Sequence, residues 1–164
     1  MAKITESPIE EDMLLALMGI GEGGIVLRNT TLERITQRIQ EHRKLIVIAP
    51  QVRVGPYRAD FIVARNQTVI AVECDGAAFH QDWEKDRTRD EYFRKHRIDV
   101  MRFAGREIFR DMYDCAHTVM SKLIGTDTRA KDTEFAGDVM ARVLMTAARQ
   151  YGGYDLLADT GERE

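Results

Sequence analysis

Hydrophobic and polar positions change period several times along the chain. Ser7-Pro8-Ile9-Glu10 combines three helix-start signals: a serine cap, a proline at the first helical position and a glutamate at the third. Ile9, Met13, Leu14 and Leu17 follow at helical spacing, so a helix is predicted from there to about Gly19. Gly21 to Gly24 reads as a loop; without a Lys-Ser/Thr pair after the glycines it makes a poor phosphate cradle. Thr30-Thr31-Leu32-Glu33 is a second capping box, and Leu32, Ile35 and Ile39 mark a helical stripe to about Arg43. The period then shortens. Leu45 to Ala49 is a continuous aliphatic run, followed by Pro50 and then Gln51 to Val54. Gly55-Pro56 is a turn, Tyr57 to Ala64 and Thr68 to Asp75 read as strands, and Asn66-Gln67 between them suits a tight hairpin. Asp82 to Arg97 has no Gly or Pro and is charge-rich, a helix with a thin apolar side of Trp83, Tyr92 and Phe93. Ile98 to Ala104 is a short strand. Gly105 opens a helix to about Leu123 that places Ile108, Met112, Cys115 and Val119 on one face. Residues 125–132 form a polar linker, a last helix spans about 132–150, and a polar tail follows a Gly-Gly break. The order predicts a mixed four-stranded sheet flanked by helices, three antiparallel strands plus a fourth reached by a helical crossover, and not a Rossmann alternation.

With 164 residues, 44% of them hydrophobic and 31% charged, the chain has the composition of an ordinary globular domain and enough length to bury a core. Two cysteines, Cys74 and Cys115, are too few for a disulfide scaffold and lack the spacing of a zinc site. No run approaches the ~20 apolar residues of a membrane span, and the acidic N-terminal stretch is unlike a signal peptide. The expected setting is therefore cytoplasmic, with no membrane partner. A net charge of −3 argues against a protein that coats nucleic acid non-specifically. The charge is unevenly spread, however: residues 85–110 hold nine basic and five acidic side chains, while both ends of the chain are acidic. That basic segment is either a solvated helix face or a surface that meets phosphate.

Three carboxylates stand out by position. Asp60 interrupts a strand built from Phe61, Ile62 and Val63, and Glu73 and Asp75 end the next one. Carboxylates are depleted in strands and costly to bury alone. Alternation puts Glu73 and Asp75 on one face and Cys74 on the other, and the hairpin can bring Asp60 beside Glu73. Carboxylates gathered this way repel unless a hard cation such as Mg²⁺ lies between them. Each also has an ordinary explanation: Asp60 paired with Arg58 or Arg102, Glu73 as a surface acid at a strand end, Asp75-Gly76 as a turn. The capping box alone accounts for Glu10, although a glutamate on the first helix can also reach a metal. His80 sits in a loop five residues after Asp75, placed either in solvent or where it can move protons. Lys85 and Arg89 share one helix face, and Asp86 and Asp90 lie on the next, so that helix can satisfy its charges by local pairs.

Taken in order, Arg58-Ala59-Asp60-Phe61, Ala71-Val72-Glu73-Cys74-Asp75-Gly76, His80, Asp86-Arg87-Thr88-Arg89-Asp90 and Val100-Met101-Arg102-Phe103 resemble the PD-(D/E)xK nuclease superfamily. More narrowly they resemble its small domains similar to the very-short-patch mismatch repair endonuclease. The helix with Glu10 and the run Pro50-Gln51-Val52 fit that branch too. The likeness covers about residues 7–120 and implies a restriction endonuclease-like α/β (α+β) fold with an αβββαβ core. It implies a nuclease-like domain over residues 1–124, with linker, extra C-terminal helix and tail over 125–164. By the same resemblance Asp60 and Glu73 hold Mg²⁺ or Mn²⁺, with the Cys74 carbonyl and Glu10 as further contributors. Asp75 stands where most of the superfamily has a catalytic lysine. His80 and Lys85 assist proton movement, and Arg87, Arg89, Arg94, Arg97 and Arg102 meet nucleic acid. The implied activity is metal-dependent endonucleolytic hydrolysis, with DNA as the partner. Two alternatives stay open: a catalytically inactive nuclease-fold module, motivated by Asp75 in the lysine's place, and a small metal-dependent phosphate-ester hydrolase. The stripe Phe135, Val139, Val143, Leu144 and Ala147 on the last helix serves either packing onto its own domain or a homodimer.

Overall fold

The computed structural model describes residues 4–21, 24–76 and 83–125. Helix α1 (Pro8–Ile20) starts as its capping residues dictate: Ser7 Oγ accepts from the Glu10 N–H and donates to Glu10 Oε1 at 2.8 Å. Strand β1 (Ile25–Val26) follows, then α2 (Leu32–Glu41), capped by the Thr31 hydroxyl. Strands β2 (Val47–Val54), β3 (Tyr57–Arg65) and β4 (Thr68–Asp75) come next. Helix α3 (Trp83–Lys95), strand β5 (Asp99–Ala104) and helix α4 (Gly105–Ile124) complete the described chain. The predicted linker, last helix and dimerisation stripe lie outside the described residues, as does His80.

The sheet is mixed, as the element order predicted, but has five strands in the order β1-β2-β3-β4-β5 where four were expected. The addition is β1, parallel to β2 through Ile25↔Val47 and Val26↔Ile48. Two residues carry no alternation, so nothing in the pattern separates this strand from the glycine-rich loop before it. The pairs β2–β3 and β3–β4 are antiparallel, and β4–β5 is parallel. The two runs either side of Pro50 form one strand.

Helices cover both faces. On one, α1 and α4 pack Met13, Leu17, Ile108, Val119 and Met120 against Phe61, Val63, Ile70 and Val72. On the other, Ile35 and Ile39 of α2 and Phe93 of α3 pack against Val47, Ala49, Ile62, Ala64 and Ala71. The thin apolar side of α3 therefore suffices, because Phe93 is fully buried. Strand alternation slips at one place. In β2, Val47 and Ala49 face α2 and α3, yet beyond Gln51 the residues on that face are Val52 and Val54. In β3 the same face takes Ala59 on one side of Asp60 and Ile62 and Ala64 on the other. Gln51 has φ +55°, a left-handed conformation that reverses the alternation, and the register places it opposite Asp60.

Helix α4 buries Ile108, Cys115 and Val119 as expected, but it is not one uninterrupted helix. Asp111 is extended (φ −159°, ψ 85°), and its Oδ1 accepts from the Asp114 N–H at 2.9 Å, capping a fresh start. The kink leaves Met112 only partly buried at the core's edge.

Candidate functional site

The β3–β4 hairpin sets the geometry. Its turn contains Asn66 at φ +57°, and pairing runs from Arg65↔Thr68 to Phe61↔Val72. One step further, Asp60 falls opposite Glu73, and there the ladder ends. The Cys74 N–H donates at 2.8 Å to Asp60 Oδ2 instead of to a backbone carbonyl. A side chain has taken over the hydrogen bond as the two strands part.

Glu73 is buried. Its Oε1 accepts from Arg89 Nη2 at 2.7 Å, and the same nitrogen donates to the Arg58 carbonyl at 2.7 Å. The Arg89 guanidinium lies 5.6 Å from the centre of the Phe93 ring, which fixes it from α3. On β5, Arg102 lies opposite Glu73 but forms a bidentate pair with Asp90, at 2.6 and 3.0 Å. Arg58 pairs with Glu6 at 2.6 Å. Neither arginine pairs with Asp60, so the ordinary ion-pair explanation for that residue does not hold. Asp90 is satisfied across the fold, not within its own helix as local pairing suggested. Arg87 does pair locally, with Glu91 at 3.7 Å.

Glu10 is also buried, and its Oε1 accepts from the Ser7 hydroxyl, not from the Ser7 backbone N–H that a full capping box would use. Its Oε2 accepts two more hydrogen bonds, from the Glu6 N–H at 2.9 Å and from Gln51 Nε2 at 2.8 Å. The second ties α1 to β2. Gln51 was part of the run matched to the nuclease branch, but no role was read for it. The signal was there: an uncharged polar residue after a proline, in the middle of an apolar strand.

Electrostatics bind these groups into one neighbourhood. Burial raises the Asp60 carboxyl above its usual range, the Cys74 amide opposes this, and the Glu10 and Asp75 charges add to it. Burial lifts Glu73 to about 7, against the attraction of Arg89 and with repulsion from Asp60. Burial also pushes the Cys74 thiol far up, helped by Asp60, Glu10, Glu73 and Asp75, so it stays protonated. Asp75, opposite Ala104 at the end of β4, is half-buried. Lys85, Arg94 and Arg97 are exposed on α3 and the turn after it. Arg89 and Arg102, expected at nucleic acid, are each engaged with a carboxylate of the protein.

Among the described residues, no group of three or more His, Cys, Asp or Glu side chains is gathered as a metal cage. What the site offers is a hard oxygen donor set. Asp60 keeps one carboxylate oxygen, and Glu73 one, without a hydrogen bond among the described residues. Both carboxylates are destabilised by burial, Asp60 also by the charges of Glu10 and Asp75 and Glu73 by that of Asp60, as a cation would relieve. The donors therefore fit a small divalent ion.

A mixed sheet between helices, with paired acids where its central hairpin opens, is the arrangement of a restriction endonuclease-like domain. The chain belongs to the REase_MTES_1575 family, whose family model matches residues 32–123. That span includes the acids of β3 and β4 but not α1 with Glu10. No curated protein and no solved structure matches the chain. Among the described residues no helix is long and apolar enough to cross a membrane.

Proposed function

We propose that this protein is a metal-dependent endonuclease that hydrolyses phosphodiester bonds in DNA, of the kind typified by the very-short-patch repair enzymes. The observation that carries the reading is Asp60 opposite Glu73 at the mouth of the β3–β4 hairpin, in a chain of a restriction endonuclease-like family. Asp60 and Glu73 hold Mg²⁺ or Mn²⁺ by their remaining oxygens, with the Cys74 carbonyl and Glu10 in support. When bound, the ion polarises the scissile phosphate and neutralises the charge that develops on it.

The chain's own groups do the rest. Arg89 favours the ionised form of Glu73 against the cost of its burial through a charge-assisted hydrogen bond, placing a fixed cation beside the acid in a site where Asp75 stands in the lysine's place. Arg102 and Asp90 lock β5 to α3 and so hold Arg89 in position. His80 and Lys85 are the proton carriers in this reading. Arg87, Arg94 and Arg97, exposed on α3 and the turn after it, meet the phosphate backbone. The net charge of −3 keeps non-specific affinity low, which suits a nicked or otherwise structured substrate.

The test is cleavage of supercoiled, nicked and branched DNA with Mn²⁺, comparing wild type with Asp60→Ala and Glu73→Ala. Loss of cleavage in both variants with folding intact supports the proposal. A second reading, a module that binds without cutting, is favoured by Asp75 in the lysine's place. It is the outcome if wild type and both variants bind DNA alike and none cleaves.

A further inference from the structure

Gln51 carries two features that holding Glu10 does not explain. The first is its backbone. Four non-glycine residues among those described have positive φ; Asn29, Asn66 and Arg97 lie in loops and turns, whereas Gln51 lies inside a strand. Asn tolerates that conformation far better than Gln, so the strain is retained for what the longer side chain does.

The second is the amide itself. An ionised carboxylate only accepts hydrogen bonds, so Glu10 fixes the Gln51 amide with its NH₂ group toward α1. The amide oxygen must then face away from Glu10. It is buried, and no donor reaches it among the described residues. Buried acceptors are nearly always satisfied, and one without a donor suits a cation or its hydration water. The register sets Gln51 directly across from Asp60, one strand over, where opposed residues stand about 5 Å apart.

Building on the metal site proposed above, we infer that the Gln51 amide oxygen is a third oxygen donor to the divalent ion held by Asp60 and Glu73. Glu10 aims this donor through its hydrogen bond to the amide NH₂. A neutral carbonyl oxygen is a suitable ligand for a hard cation, and it adds no charge to a site already crowded with acids.

The experiment is calorimetric titration of the full chain with Mn²⁺ alone, with thermal melts of each variant in EDTA and in Mn²⁺. Asp60→Asn is expected to abolish binding, and Gln51→Met to weaken it at least tenfold. Gln51→Glu keeps an oxygen but faces Glu10 with a second charge. Its melting temperature in EDTA should fall below wild type, while its rise on adding Mn²⁺ should exceed that of wild type. That crossed response is not expected of a residue that merely braces Glu10. If Gln51→Met binds Mn²⁺ as wild type does, or Gln51→Glu gains no more from Mn²⁺ than wild type, the inference is overturned while the metal site stands. If wild type binds no Mn²⁺, or Asp60→Asn binds it equally well, the metal site itself fails and this inference with it.

Discussion

Glu73 makes the metal-free protein sensitive to pH in a direction opposite to that of most paired carboxylates. Its side chain is 5% exposed, and burial raises its carboxyl from 4.5 to about 7 despite the Arg89 pair. A carboxyl raised on folding favours the native state while protonated; that advantage is complete below about pH 4.5 and disappears as pH rises through about 7. At about 1.4 kcal/mol for each pH unit between the two values, the loss from pH 5 to pH 8 comes to about 2.5 kcal/mol. Urea unfolding in EDTA at both pH values, on wild type and Glu73→Gln, isolates this contribution, because every other titrating group is common to both. Glu73→Gln should gain about 2.5 kcal/mol on wild type between pH 5 and pH 8. Adding Mn²⁺ at pH 8 should return most of the lost stability to wild type by binding only the native state. If the difference between the two proteins stays constant with pH, Glu73 is not held above its normal range, and the electrostatic case for a cation there collapses.

Other substitutions read other parts of the structure. Gly55 has φ +59°, and a Cβ there would overlap the Tyr92 hydroxyl, so Gly55→Ala should destabilise by about 2 kcal/mol or more in urea. Unchanged stability would mean that α3 does not seat on the β2–β3 turn. Arg102→Met removes a bidentate pair that is about one-third exposed on each side; a loss of about 1–2 kcal/mol is expected, with a further fall in DNA cleavage as α3 loosens. Phe61→Ala empties a fully buried position and should cost about 3–5 kcal/mol. Asp111→Ala should cost about 1 kcal/mol by removing the cap that restarts α4, a change readable as a lower melting temperature.

Elements with strong local signals were legible in the sequence, and those set by tertiary contacts were not. The start of α1 follows from Ser7, whose hydroxyl must satisfy a free N–H group whatever the rest of the chain does, whereas α2 begins one residue later than the box from Thr30 to Glu33 predicts, because Thr31 is the cap and accepts from the Arg34 N–H. The β3–β4 hairpin follows from Asn66, which takes the left-handed turn conformation readily, but the register that sets Asp60 opposite Glu73 is fixed by the pairing of the strands and not by the sequence pattern. Strand β1 escaped notice because two residues gain their strand character only from β2 beside them. The kink at Asp111 was hidden by apolar spacing that runs straight through it. Within the site, the acids were found because carboxylates in strands contradict local preference. Their partners were less visible: Arg89 and Arg102 read as phosphate-facing charges, and only the packing of α3 over β4 and β5 turns them inward to Glu73 and Asp90. Gln51 was obscured for a different reason. Its alternation slip is compensated by an equal slip at Asp60, so each strand looks regular on either side of the break.

The central claim is that Asp60 and Glu73 share one divalent ion. Anomalous scattering from crystals of the full chain soaked in Mn²⁺ tests it most directly. The expected result is one strong peak within coordination distance of a carboxylate oxygen from each residue, lost in Asp60→Asn. A Mn²⁺-saturated crystal with no peak between them, or with Mn²⁺ bound only at other acids, would contradict it.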